Sequence, residues 1–287
     1  MNPKKKNIIW LVSYPKSGNT WVRIFLQHII GNVSTDTGVI PSLSDIPIAR
    51  NRVLIDRLLG IASSNLTANE IKDLLPAVYR ELSAQNTGIQ ALKVHDSFGT
   101  TSMGEPIFPY EITHTAIYIV RNPLDIVVSY SFHTGIPFAS IIDQLNDPMF
   151  EISRSLQGLK PQVIQHLGSW SEHVSGWTQQ KKVPIIILTF EQLLKNSSMV
   201  FRNLLDQLKI PYEEKTFGMA LEACDFSRLK KQEAENGFRE KPLQAQSFFR
   251  SGKLDDYSNY LSNDQIQQVT NNHYHVMDEF GYLKAKI

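Results

Sequence analysis

Cysteine is nearly missing from this chain: among 287 residues only Cys224 carries a thiol. A single thiol excludes an internal disulfide framework and any zinc or iron–sulfur site built on several cysteines. The lack of disulfides fits a reducing compartment, and a cytoplasmic location is expected. An excess of one charge is missing too, because 29 Lys and Arg stand against 28 Asp and Glu, a net charge of +1. No nucleic acid partner is expected from so balanced a chain, and any anion site must be local. No apolar run approaches a spanning helix, so no transmembrane segment is expected. Residues 1–6 with Lys4-Lys5-Lys6 start like a signal peptide, but the apolar run Ile8–Val12 is short and Ser13-Tyr14-Pro15-Lys16 ends it. We read that start as a flexible, solvated tail. There is no G-x-S-x-G, which leaves a serine hydrolase unsupported, and no internal repeat or long linker. The remaining composition, 42% apolar and 20% charged, is that of one globular domain with a substantial core.

Periodicity places the elements. Ile8 to Val12 is short, apolar and β-rich, as a buried parallel strand is. Trp21, Val22, Ile24, Phe25, Leu26, Ile29 and Ile30 then recur at helical spacing up to Gly31-Asn32. Thr67 to Glu70 reads as a capping box opening a helix to about Ser83. Further strands are expected at Ile89–Val94, Thr115–Val120 and Pro184–Leu188. Helices are expected after Pro123, from Pro161 through Trp170, Val174 and Trp177, around Phe201–Leu208, and from the Ser262–Gln265 capping box to Gly281. The segment 230–248 is polar and reads as a mobile loop over the active site. Ser34 to Leu66 resists assignment. Strands alternating with helices define the expected fold class: α/β, a single domain, with a central parallel β-sheet flanked by helices.

Three motifs carry chemistry. The loop Tyr14 to Trp21 joins the first strand to the first helix. Helix-start N–H groups are unsatisfied and carry a positive dipole end. Gly18 permits close approach, and Lys16, Ser17, Asn19 and Thr20 add donors, so the loop is a P-loop-like anion cradle. Its order differs from the Walker pattern, where the glycines precede Lys-Ser/Thr. The bland alternative is a polar turn with a solvated lysine. In the second motif, Arg121-Asn122-Pro123, the arginine leaves a strand end and Ser129 follows two helical turns on, so guanidinium and hydroxyl can meet on one phosphate. The bland alternative pairs Arg121 with Asp125 at i, i+4. In the third motif Lys93 and His95 are two residues apart on one strand and share a face. Such a strand end is where open α/β sheets bind ligands. His273 and His275, on a helix, point apart and do not suggest a metal site.

These motifs resemble the sulfotransferase family that uses 3′-phosphoadenosine 5′-phosphosulfate (PAPS). That family opens with Tyr-Pro-Lys-Ser-Gly-Thr-Thr-Trp, which Tyr14 to Trp21 repeats except at Asn19. Tyr118 to Tyr130 is similar to its 3′-phosphate element, and Leu92 to His95 to its Lys-x-His. Phe248 to Lys253 is similar to its Arg-Lys-Gly segment, with Ser251 in place of the lysine and Lys253 nearby as a substitute. Phe226 stands where the family has its adenine-side phenylalanine, and Phe190 where it often has tyrosine. Residues 34–88 and 134–160 match nothing nameable; in the family such segments build the acceptor pocket.

The resemblance implies the site residues. His95 would be the general base, Lys16 would neutralise the leaving phosphate, and Lys93 would assist the transferring group or simply be solvated. Lys16, Ser17, Gly18, Asn19, Thr20, Trp21, Arg121, Ser129, Phe226, Arg250, Ser251 and Gly252 would bind PAPS. No metal is required. The implied reaction moves a sulfuryl group to a hydroxyl or amine of a small-molecule acceptor. The layout also resembles bacterial sulfotransferases that modify natural products. Two alternatives stay open: an ATP- and Mg²⁺-dependent small-molecule kinase, and a catalytically silent nucleotide-binding module. The oligomeric state is not legible.

Overall fold

Alternate side chains along the strands enter two separate cores, and this organises the chain. The computed structural model describes residues 6–31, 46–155 and 158–283. Its strands are β1 (Ile8–Ser13), β2 (Gln90–Val94), β3 (Thr113–Val120), β4 (Glu151–Ile152), β5 (Gln165–His166) and β6 (Ile185–Thr189). The first half holds the helices α1 (Asn19–Ile30), α2 (Arg52–Leu59), α3 (Ala68–Gln85), α4 (Pro123–Thr134) and α5 (Phe138–Asn146). The second half holds α6 (Trp170–Gln179), α7 (Phe190–Leu208), α8 (Glu214–Ala223), α9 (Phe226–Asn236), α10 (Asn263–Asn272) and α11 (Tyr274–Glu279).

Four strands form one sheet in the order β2-β1-β3-β6, all parallel. Ile8, Trp10 and Val12 enter one core with Leu92, Val94, Ala116 and Tyr118, under α3, α4 and α6. Ile9 and Leu11 enter the other with Ala91, Ile117, Ile119 and Leu188, under α1, α7 and α8. Both faces of the sheet are therefore covered, as parallel sheets require. The single-domain α/β architecture read from the sequence stands. Trp170 and Trp177 are buried anchors of the first core, and His273 is buried while His275 is exposed.

Several boundaries differ from expectation. Pro161 does not open a helix: its carbonyl accepts from Arg52 N at 2.9 Å, and α6 begins only at Trp170, opened by the Ser169–Glu172 capping box. The C-terminal helix breaks at His273, whose Nδ1 lies 2.8 Å from Ser171 Oγ, into α10 and α11. Residues 230–236 are not loop but the body of α9, because Asp225 caps it by accepting from Arg228 N at 3.0 Å. The tail at 1–5 and the part of the unassigned stretch from 34 to 45 lie outside the described residues.

Segment 46–50 was unreadable in sequence, yet it borders the site. Ala49 N donates to Lys93 O at 2.8 Å and Lys93 N donates to Pro47 O at 2.9 Å, which lays the segment along β2. Arg50 then clamps Asp96, the residue after His95: Nε donates to Oδ2 at 2.9 Å and Nη2 pairs with Oδ1. Both partners are buried. Removing one side of such a pair strands a buried charge. Asp96→Ala should therefore lose about 3–5 kcal/mol in urea unfolding; a loss below about 1 kcal/mol would show the clamp to be dispensable.

Candidate active site

A cavity of about 1370 Å³ opens at the carboxyl ends of the parallel strands. Strand order sets its layout. His95 follows β2, the loop 14–18 follows β1, Arg121 follows β3 and Phe190 follows β6. The cavity is lined by Lys16, Gly18, Asn19, Thr20, Trp21, Lys93, His95, Arg121, Ser129, Phe226, Arg250, Ser251 and Gly252. Of the candidate binding residues read from the sequence, Ser17, which is buried, and Lys253, which is exposed, do not line the cavity.

The loop takes its shape from two residues in the left-handed region, Lys16 (φ 70°) and Gly18 (φ 98°). For lysine that conformation costs about 1–2 kcal/mol, and Arg121 Nη1 holds it by donating to Lys16 O at 2.9 Å. Gly18, assigned from the sequence to close approach by a ligand, lines the cavity, and it also has Phe190 against it: a Cβ on Gly18 would meet that ring's carbon at 2.8 Å. Phe190 also stacks under Arg121, whose Cζ lies 4.1 Å from the ring centre. The Asn19 amide, read as a donor for the anion, turns inward, donating to Leu11 O at 3.0 Å and Ser13 Oγ at 3.2 Å. Its place at the start of α1 is unchanged.

Arg121 and Asp125, both among the described residues, form no salt bridge, although the Asp125 charge favours the guanidinium from a distance. Asp125 accepts from the backbone N–H groups of Asp255 and Tyr257, both at 3.1 Å. It thereby pins the turn that carries Asp256, and Asp256 pairs with Arg250. The buried Arg121 Nε and Ser17 Oγ have no protein partner. Buried donors are seldom left unpaired, so a cationic group and a hydroxyl in this state fit a bound phosphate. Gly252 (φ 62°) lies against Phe226, where a Cβ would meet the ring at 2.8 Å. Lys253, suggested as a substitute cation, is exposed and does not line the cavity, whereas Ser251 does.

The histidine geometry fixes a tautomer. His95 Nδ1 lies 2.7 Å from Ser13 O, and a carbonyl only accepts, so Nδ1 carries the proton and Nε2 keeps its lone pair. Burial, then the charge of Lys93, hold this imidazole well below its ordinary 6.5. Sequence reading missed His173, which is buried and lies with Nε2 3.0 Å from His95 O and Nδ1 2.8 Å from Tyr118 OH. It also missed Glu240, which ties Arg23 (2.6 Å) to Lys93 (3.7 Å). Against its own burial, Lys93 and Arg23 hold that carboxyl below the ordinary range. Finally it missed His133, 3.3 Å from Lys16 Nζ. Its place four residues after Ser129, on the same helix face, was the available signal. Burial, then Arg121, Lys93 and Arg250, bring the Lys16 ammonium down to about 7.

A doubly wound parallel sheet whose strand ends hold a glycine-containing anion cradle and a buried guanidinium with its Nε unpartnered defines an α/β protein that binds a phosphorylated ligand. Residues 6–281 match the model of the sulfotransferase domain, and the chain belongs to that family. It is 25% identical over 281 residues to cytosolic sulfotransferase 15 of Arabidopsis thaliana, covering 92% of this chain and 70% of that protein. It is 24% identical over 285 residues to flavonol 3-sulfotransferase of Flaveria bidentis, covering 92% and 79%. In fold it is similar to retinol dehydratase in complex with androsterone and inactive cofactor PAP, with a TM-score of 0.64, 18% identity, and 99% and 84% of the two chains covered. It is also similar to mouse sulfotransferase SULT7A1 complexed with PAP, with a TM-score of 0.58, 19% identity, and 95% and 85% covered. No helix among the described residues is long and apolar enough to cross a membrane.

Two glycines separate strain from crowding. Gly60 (φ 70°) has open space around a Cβ, whereas Gly252 faces the Phe226 ring. Gly60→Ala should cost about 1–2 kcal/mol in urea unfolding, from backbone strain alone. Gly252→Ala should cost more and weaken nucleotide binding, because Phe226 must move. Equal costs and unchanged nucleotide affinity would show that Phe226 is not held by this contact.

Proposed function

We propose that this chain transfers the sulfuryl group of PAPS to a hydroxyl or amine of a small-molecule acceptor by in-line displacement. The supporting observation is the juxtaposition of an unprotonated His95 Nε2, a half-buried Lys16 and an Arg121 with an unpaired Nε in one cavity. Each part has a task. Arg121 and Ser129 hold the 3′-phosphate, with Arg250 adding charge. The loop 14–20 holds the 5′-phosphate with its N–H groups and Thr20. Phe226 lies on the adenine side.

The acceptor oxygen or nitrogen attacks sulfur as the sulfur–oxygen bond to the 5′-phosphate breaks. His95 Nε2 takes the acceptor proton, a contribution of about 10²–10⁴ in rate. Negative charge gathers on the departing phosphate oxygen, and the Lys16 ammonium meets it, a contribution on the order of 10²–10³. Lys93 shares the cavity wall with His95 and steadies the transferring group, with Glu240 restraining it. The acceptor lies towards Pro47, Ile48, Val53 and Leu54, an apolar wall broken by Asn51 and Gln162. That mixture suits a small natural product with an apolar frame and a reactive hydroxyl. We place the protein in the cytoplasm, where its thiol remains reduced.

Calorimetry with 3′,5′-bisphosphoadenosine and with ADP, without magnesium, tests the donor site. The bisphosphate should bind at least about tenfold more tightly, because only it engages Arg121 and Ser129. At about pH 8 its binding should take up roughly one proton, since phosphate raises the Lys16 ammonium from its low resting value. Lys16→Met should abolish that uptake. Equal binding of the two nucleotides would sink the 3′-phosphate assignment, and a requirement for magnesium would favour the kinase reading.

His95→Ala should bind the bisphosphate normally and lose about 10²–10⁴ in kcat. Because His95 titrates well below 6.5 in the folded chain, its base form persists as pH falls. The wild-type kcat/KM profile should therefore show no acidic fall from about pH 7.5 to about pH 6, rising instead as the Lys16 ammonium forms on passing below about 7. An acidic limb centred near 6.5 would contradict the assignment.

A further inference from the structure

We propose that His133 is a positioning residue for Lys16, and that together with Phe248 it cages the Lys16 side chain so that its orientation depends on how segment 237–249 packs over the cavity. The proposal rests on the reading that Lys16 serves the leaving phosphate.

His133 lies in the last turn of α4, one turn beyond Ser129, and lines the same cavity. Its Nδ1 is 3.3 Å from Lys16 Nζ. An ammonium only donates, so Nδ1 accepts and the imidazole proton sits on Nε2. The ammonium also lies 4.4 Å from the centre of the Phe248 ring. The His133 and Phe248 rings meet edge to face, 5.6 Å between centres, and so form two adjoining walls around it. Phe248 is held in turn by the buried Glu233 of α9. Glu233 Oε1 accepts from Phe248 N at 2.6 Å, and Oε2 accepts from Phe249 N at 2.9 Å and Ser247 Oγ at 3.0 Å.

The other charged groups facing Lys16 explain why a neutral partner suits this place. Arg121 after β3, Lys93 on β2 and Arg250 near the C-terminal turn all oppose the ammonium, and Glu233 alone favours it. None of these four hydrogen-bonds to Nζ, whose partner among the described residues is His133. A carboxylate at position 133 would hold the ammonium as an ion pair and compete with an incoming phosphate. A second cation would expel it. A neutral imidazole keeps the ammonium solvated in the resting site and yields it to a stronger acceptor. His133 meets that condition, since burial and then Lys16 and Lys93 hold it down at about 3.

The sign of the effect on Lys16 follows. A hydrogen bond accepted from the ammonium favours the charged form, so removing it lowers the resting pKa of Lys16. The more abundant free amine then reacts faster with an amine-selective reagent.

The experiment uses the full chain with three substitutions, His133→Ala, His133→Asn and His133→Asp, each checked for native circular dichroism. Labelling of Lys16 with acetic anhydride is followed by peptide mass spectrometry across pH, and kcat and bisphosphate affinity are measured alongside. His133→Ala should label at least about threefold faster at pH 7, with its labelling midpoint about half a pH unit lower or more. Its kcat should fall about tenfold to a hundredfold, as for a misplaced catalytic group, while bisphosphate affinity moves less than threefold. His133→Asn, which keeps a neutral acceptor, should recover much of both. His133→Asp should slow labelling yet still lose kcat, because it retains the ammonium. Unchanged labelling and kcat in His133→Ala overturn the proposal, and so does an Asn variant indistinguishable from Ala. If Ala fails to fold, the opposite labelling shifts expected between Asn and Asp decide it, and their absence overturns it. Lys16→Ala separates the two levels. Full kcat there refutes the role of Lys16 itself, whereas loss there with no effect at His133 refutes only the cage.

Discussion

One guanidinium bonds to the phosphate loop and stacks on the end of the sheet's last strand. Arg121 is buried at the end of β3, bonded to the Lys16 carbonyl and stacked on Phe190. The first contact stabilises a lysine in the left-handed region, and that conformation shapes the loop. The second places Phe190 against Gly18, where no side chain fits. Burying Arg121 costs desolvation that the protein's own groups do not fully offset, since Nε has no protein partner. Such a cost persists where the surroundings over-determine it and a ligand offsets it. A dianionic phosphate is the ligand chemistry that does so best.

The same reasoning extends to the charges around it. Lys16, Lys93, Arg121 and Arg250 share one cavity wall, and like charges at close range depress one another. The chain limits that repulsion through carboxylates that do not block the cradle. Glu240 restrains Lys93 and Arg23, Asp256 restrains Arg250, and Asp125 holds the turn bearing Asp256. Glu233 spends its oxygens on backbone and hydroxyl donors of the covering segment. The site is thus positively biased yet close to balanced, in keeping with a chain of net charge +1.

Legibility in the sequence follows the range of the interactions. The capping boxes at Thr67, Ser169 and Ser262 are all present, and two of them were readable because both partners lie within four residues. Ser169 went unread because Pro161 offered a competing helix start, which the pairing of its carbonyl with Arg52 overrides. Lys93 and His95 share a wall as strand parity requires. The polar tract after Lys230 looked unstructured because its helix takes its order from an aspartate cap and from burial of Leu229 and Glu233, which polarity alone does not display.

By itself the sequence determined the class of site. The run from Tyr14 to Trp21, the Arg121–Ser129 pair and the strand-end His95 are local patterns whose chemistry depends on spacing of a few residues. The tertiary structure decided which of these groups meet and what surrounds them. Strand order β2-β1-β3-β6 sets His95, the loop 14–18 and Arg121 side by side, though 26 residues separate His95 from Arg121 and 79 separate Lys16 from His95. Contacts such as Lys16–His133 and Lys93–Glu240 span 117 and 147 positions along the chain. No local periodicity encodes such pairs, because they exist only once both faces of the sheet have been covered and the segments beyond it packed down.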